Sequence, residues 1–210
     1  MTRELGFTHR FLPGSSPLTL LLLHGTGADE NNLLGLGREL DPEANLLSPR
    51  GKVLENGMPR FFRRLAMGVF DVEDLVARTH ELAEFVDRAV KSYDLDAGKV
   101  VAVGYSNGAN IAASLLLLRP QVLGAAALLH AMPPFQPDDL PELSDTPILL
   151  TAGRHDTMVP GDQAQLLADI YRAAGAEVTL EWMPGGHELT RHEVDVATEW
   201  LAGVRERLTR

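Results

Sequence analysis

A serine held between two glycines, directly after an apolar run and directly before a helix-like segment, is placed for nucleophilic attack. Gly104-Tyr105-Ser106-Asn107-Gly108 stands in that position, after Lys99-Val-Val-Ala-Val103 and before Ala109-Asn-Ile-Ala-Ala-Ser-Leu115. In a G-x-S-x-G elbow the serine occupies a sharp, strained strand-to-helix turn, and a side chain at either flanking position would collide with the neighbouring strand or helix. Ser15, Ser16, Ser48, Ser92, Ser114 and Ser144 lack that setting, and Ser114 reads as helix interior.

A serine hydroxyl is almost wholly protonated at neutral pH. It needs a histidine to take its proton and a carboxylate to fix that histidine's tautomer. For a G-x-S-x-G elbow the chain order is serine, acid, histidine, so both partners lie after residue 106. His187 follows the last strand-like run through Pro184-Gly185-Gly186, a turn able to carry an imidazole over a sheet edge. His9, His24 and His80 precede the serine, His130 ends a middle strand, His155 adjoins the acid candidate and His192 falls within a helix. Asp156 comes just after Ile148-Leu-Leu-Thr-Ala152, whereas its rivals Asp138 and Asp139 sit in a proline-rich loop one strand earlier. The expected catalytic set is Ser106, Asp156 and His187.

Acyl transfer also needs donors aimed at the oxygen that becomes negative. One is the backbone N–H of Asn107. The other is assigned to Thr26 in His24-Gly25-Thr26-Gly27, which follows the apolar run 18–23. As a dinucleotide loop the segment from Gly25 is poor, because Glu30 replaces the third glycine and its charge opposes a pyrophosphate. A metal centre from His155, Asp156, His187 and His192 has no tight ligand spacing to support it.

These residues must be held by a scaffold, and the patterning supplies one. Short β-favouring runs at 6–12, 18–23, 45–48, 99–104, 124–130, 147–152 and 177–183 alternate with helical patterns at 31–40, 72–93, 109–118, 162–174 and 190–208. Alternation of this kind predicts an α/β fold with a mostly parallel central sheet and helices on both faces. Several runs are continuously apolar, as strands buried on both faces should be. The helix after Asp71 carries an apolar stripe of Val72, Leu75, Val76, Leu82, Ala83, Val86, Ala89 and Val90, with Asp71 as cap and Asp74 in the capping-box position. The stretches 49–70 and 131–146 read as irregular, and nothing divides residues 1–210 into more than one domain.

Composition narrows the function classes. The 210 residues are 45% hydrophobic and 23% charged, in the globular range. A net charge of −10 disfavours nucleic acid and anionic membrane surfaces as partners. The chain has no cysteine, which removes disulfides, thiolate metal sites and a thiol nucleophile. Residues 1–10 mix charge with apolar side chains unlike a secretory signal, and the longest apolar runs, 18–23 and 122–129, are too short to span a bilayer. A cytoplasmic location is expected.

With these motifs placed, the chain resembles the phospholipase/carboxylesterase family of α/β-hydrolases, which includes the acyl-protein thioesterases. Leu22-Leu-His-Gly-Thr-Gly27, Gly104-Tyr-Ser-Asn-Gly-Ala-Asn-Ile111, Ala152-Gly-Arg-His-Asp156 and Gly185-Gly-His187 align with its oxyanion loop, elbow, acid turn and histidine turn, over nearly the whole chain. Leu47-Ser-Pro-Arg-Gly51 and Glu55-Asn-Gly-Met-Pro-Arg-Phe-Phe62 look like its bacterial hydroquinone-linked carboxylesterase branch. The resemblance implies serine esterase chemistry with no metal or organic cofactor. Thioesterases of the family usually carry Gln after the nucleophile where this chain has Asn107, which points away from long-chain acyl-protein substrates.

Substrate contacts are expected from Arg50, Met58, Arg60, Phe61 and Phe62 in 49–70, where guanidinium groups beside an apolar wall suit a substrate carboxylate or phenolic oxygen. Arg63 and Arg64 lie in the same stretch, and Met158 and Val159 follow the acid. Only the short stretch 131–146 is left for a lid, so the pocket should be shallow and take small short-acyl or aryl esters. Acyl-protein thioesterase or lysophospholipase activity, and a non-catalytic binding protein on the same fold, are the alternatives. Homodimerisation through a sheet edge is left open.

Overall fold

In the computed structural model, which describes residues 5–209, the continuously apolar runs are the inner strands of a seven-stranded sheet. The strands of this sheet are β1 (His9–Leu12), β2 (Thr19–Leu23), β3 (Asn45–Pro49), β8 (Val100–Tyr105), β9 (Ala125–Leu129), β10 (Pro147–Gly153) and β11 (Glu177–Met183). Between β3 and β8 lie two small antiparallel hairpins, β4 (Val53–Glu55) with β5 (Met58–Arg60) and β6 (Arg64–Ala66) with β7 (Val69–Phe70). The helices are α1 (Leu34–Leu40), α2 (Val72–Tyr93), α3 (Asn107–Leu118), α4 (Gly161–Ala173) and α5 (Arg191–Thr209).

The sheet order is β1-β3-β2-β8-β9-β10-β11, with β1 antiparallel to β3 and every other pairing parallel. Period-2 alternation sends the side chains of each inner strand to two faces. Along β2, Leu21 and Leu23 join a core with α2, α3 and α4, while Leu20 and Leu22 join a second core with α1 and α5. All of β2 is buried, which is why four consecutive leucines follow Thr19. Because six strands run in parallel, the residues that follow β2, β8, β9, β10 and β11 collect at one edge of the sheet, where α/β proteins build their sites.

α2 spans the residues its periodicity predicts. Asp71 caps it by accepting the Asp74 N–H at 3.1 Å. Asp74 does not complete a capping box: its carboxylate takes the Arg63 N–H at 2.7 Å and so ties the second hairpin to the helix. Thr79 and Phe85 belong to the buried face, whereas Val72 is 43% exposed at the helix entry. The stretch 49–70 is not irregular: it forms the two hairpins, which supply Arg60, Arg64, Met67, Gly68 and Phe70 to the wall beside the site. The first strand begins at His9 rather than residue 6, and α1 at Leu34 rather than 31, because the Asp29 side chain holds the Asn31 N–H at 2.8 Å in a turn. Residues 131–146 contain no helix or strand, and among the described residues no large cap covers the sheet edge.

Candidate active site

β8 ends in a turn whose backbone is set by sterics. Ser106 has φ of +53°, a region rarely used by residues with a side chain. A Cβ on Gly104 would lie 2.6 Å from the Gly108 carbonyl oxygen, and a Cβ on Gly108 would lie 1.9 Å from that of Leu23. The two glycines therefore let α3 start hard against β2 and β8, with Ser106 raised at its N-terminus. Ser106 N–H donates to the Leu129 carbonyl at 2.9 Å, extending the β8–β9 ladder to the serine itself.

The turn after β11 brings an imidazole to that serine. His187 Nε2 lies 2.8 Å from Ser106 Oγ, and its Nδ1 lies 2.7 Å from Asp156 Oδ2. Tyr105 Oη donates to the His187 carbonyl at 2.7 Å and fixes the turn. The other carboxylate oxygen, Asp156 Oδ1, accepts the N–H groups of Met158 and Val159 at 2.7 and 2.9 Å. Burial by itself would raise the Asp156 carboxyl, but the Val159 N–H, the His187 ring and the Met158 N–H outweigh it and hold the group below its ordinary range. Asp138 and Asp139 stay in the loop 131–146.

Thr26 and Asn107 both line the cavity beside Ser106. Asn107 is the first residue of α3, where helix N–H groups have no intrahelical acceptor. The Thr26 loop is pinned on two sides: Gly27 N–H donates to the Pro59 carbonyl at 2.9 Å, and Arg60 Nη1 donates to Thr26 Oγ1 at 2.7 Å. Beneath it His24 is fully buried, with Nδ1 at 2.7 Å from the Gly25 carbonyl and Nε2 accepting the Gly51 N–H at 3.0 Å. Burial lowers the His24 pKa, and those partners suit a neutral ring protonated at Nδ1.

The cavity is small, about 40 Å³. Of the wall residues expected from sequence, Arg60, Met158 and Val159 line it. Four do not. Arg50 points to another surface hollow and pairs through two nitrogens with Glu30. Met58 packs beside Gly27. Phe61 and Phe62 are core residues, 2% and 0% exposed, because a strand end next to the sheet must bury its aromatic rings. Arg64, Met67, Gly68 and Phe70 from the second hairpin, with Asn110 and Met132, complete the wall. Asn56-Gly57, a dipeptide that favours the tight hairpin turn, was the signal for the first hairpin, and both residues have positive φ. Asn107 and Asn110, one turn apart in an apolar helix, were the signal for a polar floor. Asn107 Oδ1 accepts the Phe61 N–H at 2.7 Å, while its Nδ2 is buried and has no hydrogen-bond partner.

Three groups with metal-ligand chemistry, His130, Asp156 and His187, lie within 4.8 Å of one another. Their facing atoms are engaged with each other, since both Nδ1 atoms address Asp156 Oδ2. His155 and His192, weighed as ligands from sequence, are exposed and take no part in this cluster.

A serine elbow at the C-terminal edge of a mostly parallel sheet, flanked by helices on both faces and without a cap, makes this an α/β-hydrolase. Residues 69–199 match the dienelactone hydrolase family; the chain belongs to that family and is a hydrolase. It is 50% identical to MhqD of Bacillus subtilis (strain 168) over 192 residues, 91% of this chain and 96% of that one. The crystal structure of the Bacillus cereus carboxylesterase superposes with a TM-score of 0.94 at 46% identity, over 96% of each chain. That of a carboxylesterase from Mesorhizobium loti does so with a TM-score of 0.90 at 34% identity, over 97% of each. The resemblance drawn from the motifs is thus matched by carboxylesterase structures, while the family description that fits is that of the dienelactone hydrolases.

Proposed function

We propose that the protein is a serine carboxylesterase that hydrolyses small short-acyl or aryl esters through Ser106, His187 and Asp156. The observation that carries this reading is the unbroken hydrogen-bonded path from Ser106 Oγ to His187 Nε2 at 2.8 Å and from His187 Nδ1 to Asp156 Oδ2 at 2.7 Å. The similarity to solved carboxylesterases supports the ester as the bond attacked.

His187 Nε2 accepts the Ser106 proton as Oγ bonds to the ester carbonyl carbon, and the carbonyl oxygen becomes an oxyanion beside the N–H groups of Thr26 and Asn107. The carbon–oxygen bond to the alcohol then breaks, and the alcohol leaves with the proton from Nε2. Water attacks the acyl-serine with Nε2 again taking a proton, and collapse returns that proton to Ser106 Oγ and frees the acid. Asp156 stays ionised and fixes the ring with Nδ1–H toward Oδ2. No step calls for a metal or an organic cofactor.

The small, partly open cavity between Phe70, Met132 and Val159 favours a short acyl or compact aryl group over a long chain. Arg60 and Arg64, which line the cavity, share Glu55: Arg60 Nε lies 3.2 Å and Arg64 Nη2 2.7 Å from its carboxylate, so two guanidinium groups face one anion. The experiment is hydrolysis of p-nitrophenyl acetate, butyrate and octanoate by the wild type and Ser106→Ala. The variant should fall to the background rate, and the wild-type kcat/KM should drop from butyrate to octanoate. Full turnover by Ser106→Ala overturns the nucleophile, and a steep rise toward octanoate overturns the short-acyl assignment.

A further inference from the structure

Asp156 Oδ2 serves two imidazoles: besides His187 Nδ1 it has His130 Nδ1 at 3.1 Å. His130 follows β9, is fully buried and has φ of +59°, so its backbone is held in a region that side chains generally avoid. The other ring nitrogen, Nε2, lies 3.2 Å from Glu193 Oε2. Glu193 is also fully buried, in the first turn of α5, and its second oxygen accepts the Thr151 hydroxyl.

A neutral imidazole carries one N–H. Placed between two ionised carboxylates it would turn a bare lone pair on one of them, in an interior where an unmet polar contact is costly. An imidazolium donates to both. Glu193 also stands three residues after Thr190 and receives the helix cap, its N–H lying 3.3 Å from Thr190 Oγ1. The cap accounts for a glutamate at this place but not for a histidine wedged between it and Asp156.

We propose that His130 is a positioning residue, an imidazolium bridging Asp156 and Glu193 that locks the Asp156 carboxylate toward His187 and withholds part of its charge from that ring. This rests on the Ser106–His187–Asp156 reading. Burial alone would depress the His130 pKa, but Glu193 and Asp156 outweigh burial and raise it above the ordinary imidazole value. The titratable groups around His130 are Asp156, Glu193, His187, Tyr105, whose ring centroid is 6.0 Å away, and Glu188 beyond the His187 turn. Glu193 compensates the charge of His130, so the trio of Asp156, His130 and Glu193 presents one net negative charge to His187.

The test has two parts. Nitrogen-15 NMR of histidine-labelled wild-type protein near neutral pH, with the His130 signal identified by its loss in His130→Asn, should show protons on both His130 ring nitrogens. A single protonated nitrogen overturns the bridge, and this readout needs no turnover. Asn suits a left-handed backbone, and in His130→Asn the acid limb of the kcat/KM profile with p-nitrophenyl butyrate should move up by about one pH unit, making the loss about tenfold greater in acid than in alkali. An equal loss at every pH with an unmoved limb assigns His130 to packing and overturns the proposal. Retained activity in Ser106→Ala would sink the underlying reading instead, and would leave the NMR result on His130 standing.

Discussion

The side-chain carbonyl of Asn107 accepts the backbone N–H of Phe61 at 2.7 Å, so the residue after Ser106 also holds the hairpin beside the cavity. Asn107 is 3% exposed, and this bond has no water to replace it. Asn107→Ala strips the acceptor and leaves the Phe61 N–H unmet, but it also removes the partnerless Nδ2 donor, so the net loss is about 1 kcal/mol. Urea denaturation should show that loss, while the backbone N–H at position 107 still allows Ser106 to react with a fluorophosphonate. A stability change below about 0.5 kcal/mol would mean that the Phe61 contact is not made in solution.

The tight approach of α3 to β2 predicts a backbone-limited position. In Gly108→Ala the new methyl would sit 1.9 Å from the Leu23 carbonyl oxygen, a backbone atom that cannot swing aside. The helix would have to move away from the sheet, carrying Ser106 with it, at a cost of about 3 kcal/mol or more. Thermal unfolding should register a large drop in Tm or an insoluble product. A variant with wild-type Tm and activity would contradict the close contact.

Much of this architecture was legible because the signals are local. An inner parallel strand must be apolar throughout, so β2, β8, β9 and β10 declare themselves, and the elbow joins β8 to α3 within five residues. α2 shows its start in Asp71, which caps it as the spacing predicts. The hairpins of 49–70 leave no legible period, because strands of two or three residues carry too few positions for one, although Asn56-Gly57 marks one turn. Phe61 and Phe62 looked like substrate wall for the same reason that they are core: an aromatic pair next to Arg60 is apolar surface, and only the sheet edge decides what covers it. His130 and Glu193 are 63 residues apart, and no local pattern links a strand-end histidine to a helix-cap glutamate.

The lowered pKa of Asp156 makes a prediction with a sign. A carboxyl that holds its charge more tightly in the folded state contributes stability that is complete above its unfolded value and is lost as pH falls through the folded value. The stability gap between wild type and Asp156→Asn, read from urea midpoints, should be present at neutral pH and shrink as acid protonates the wild-type carboxyl. The same variant should lose about 10⁴-fold in kcat at neutral pH, because an amide no longer enforces the Nδ1–H tautomer of His187. A gap that widens in acid would contradict the network around Oδ1 and Oδ2.

The proposed chemistry turns on Ser106 Oγ bonding to substrate. The most direct measurement is peptide mapping by mass spectrometry after reaction with a fluorophosphonate, on the wild type and on His187→Ala. One adduct on the peptide carrying Ser106, formed far more slowly once His187 is removed, is the predicted result. An adduct on another residue, or equal labelling without His187, would contradict the account.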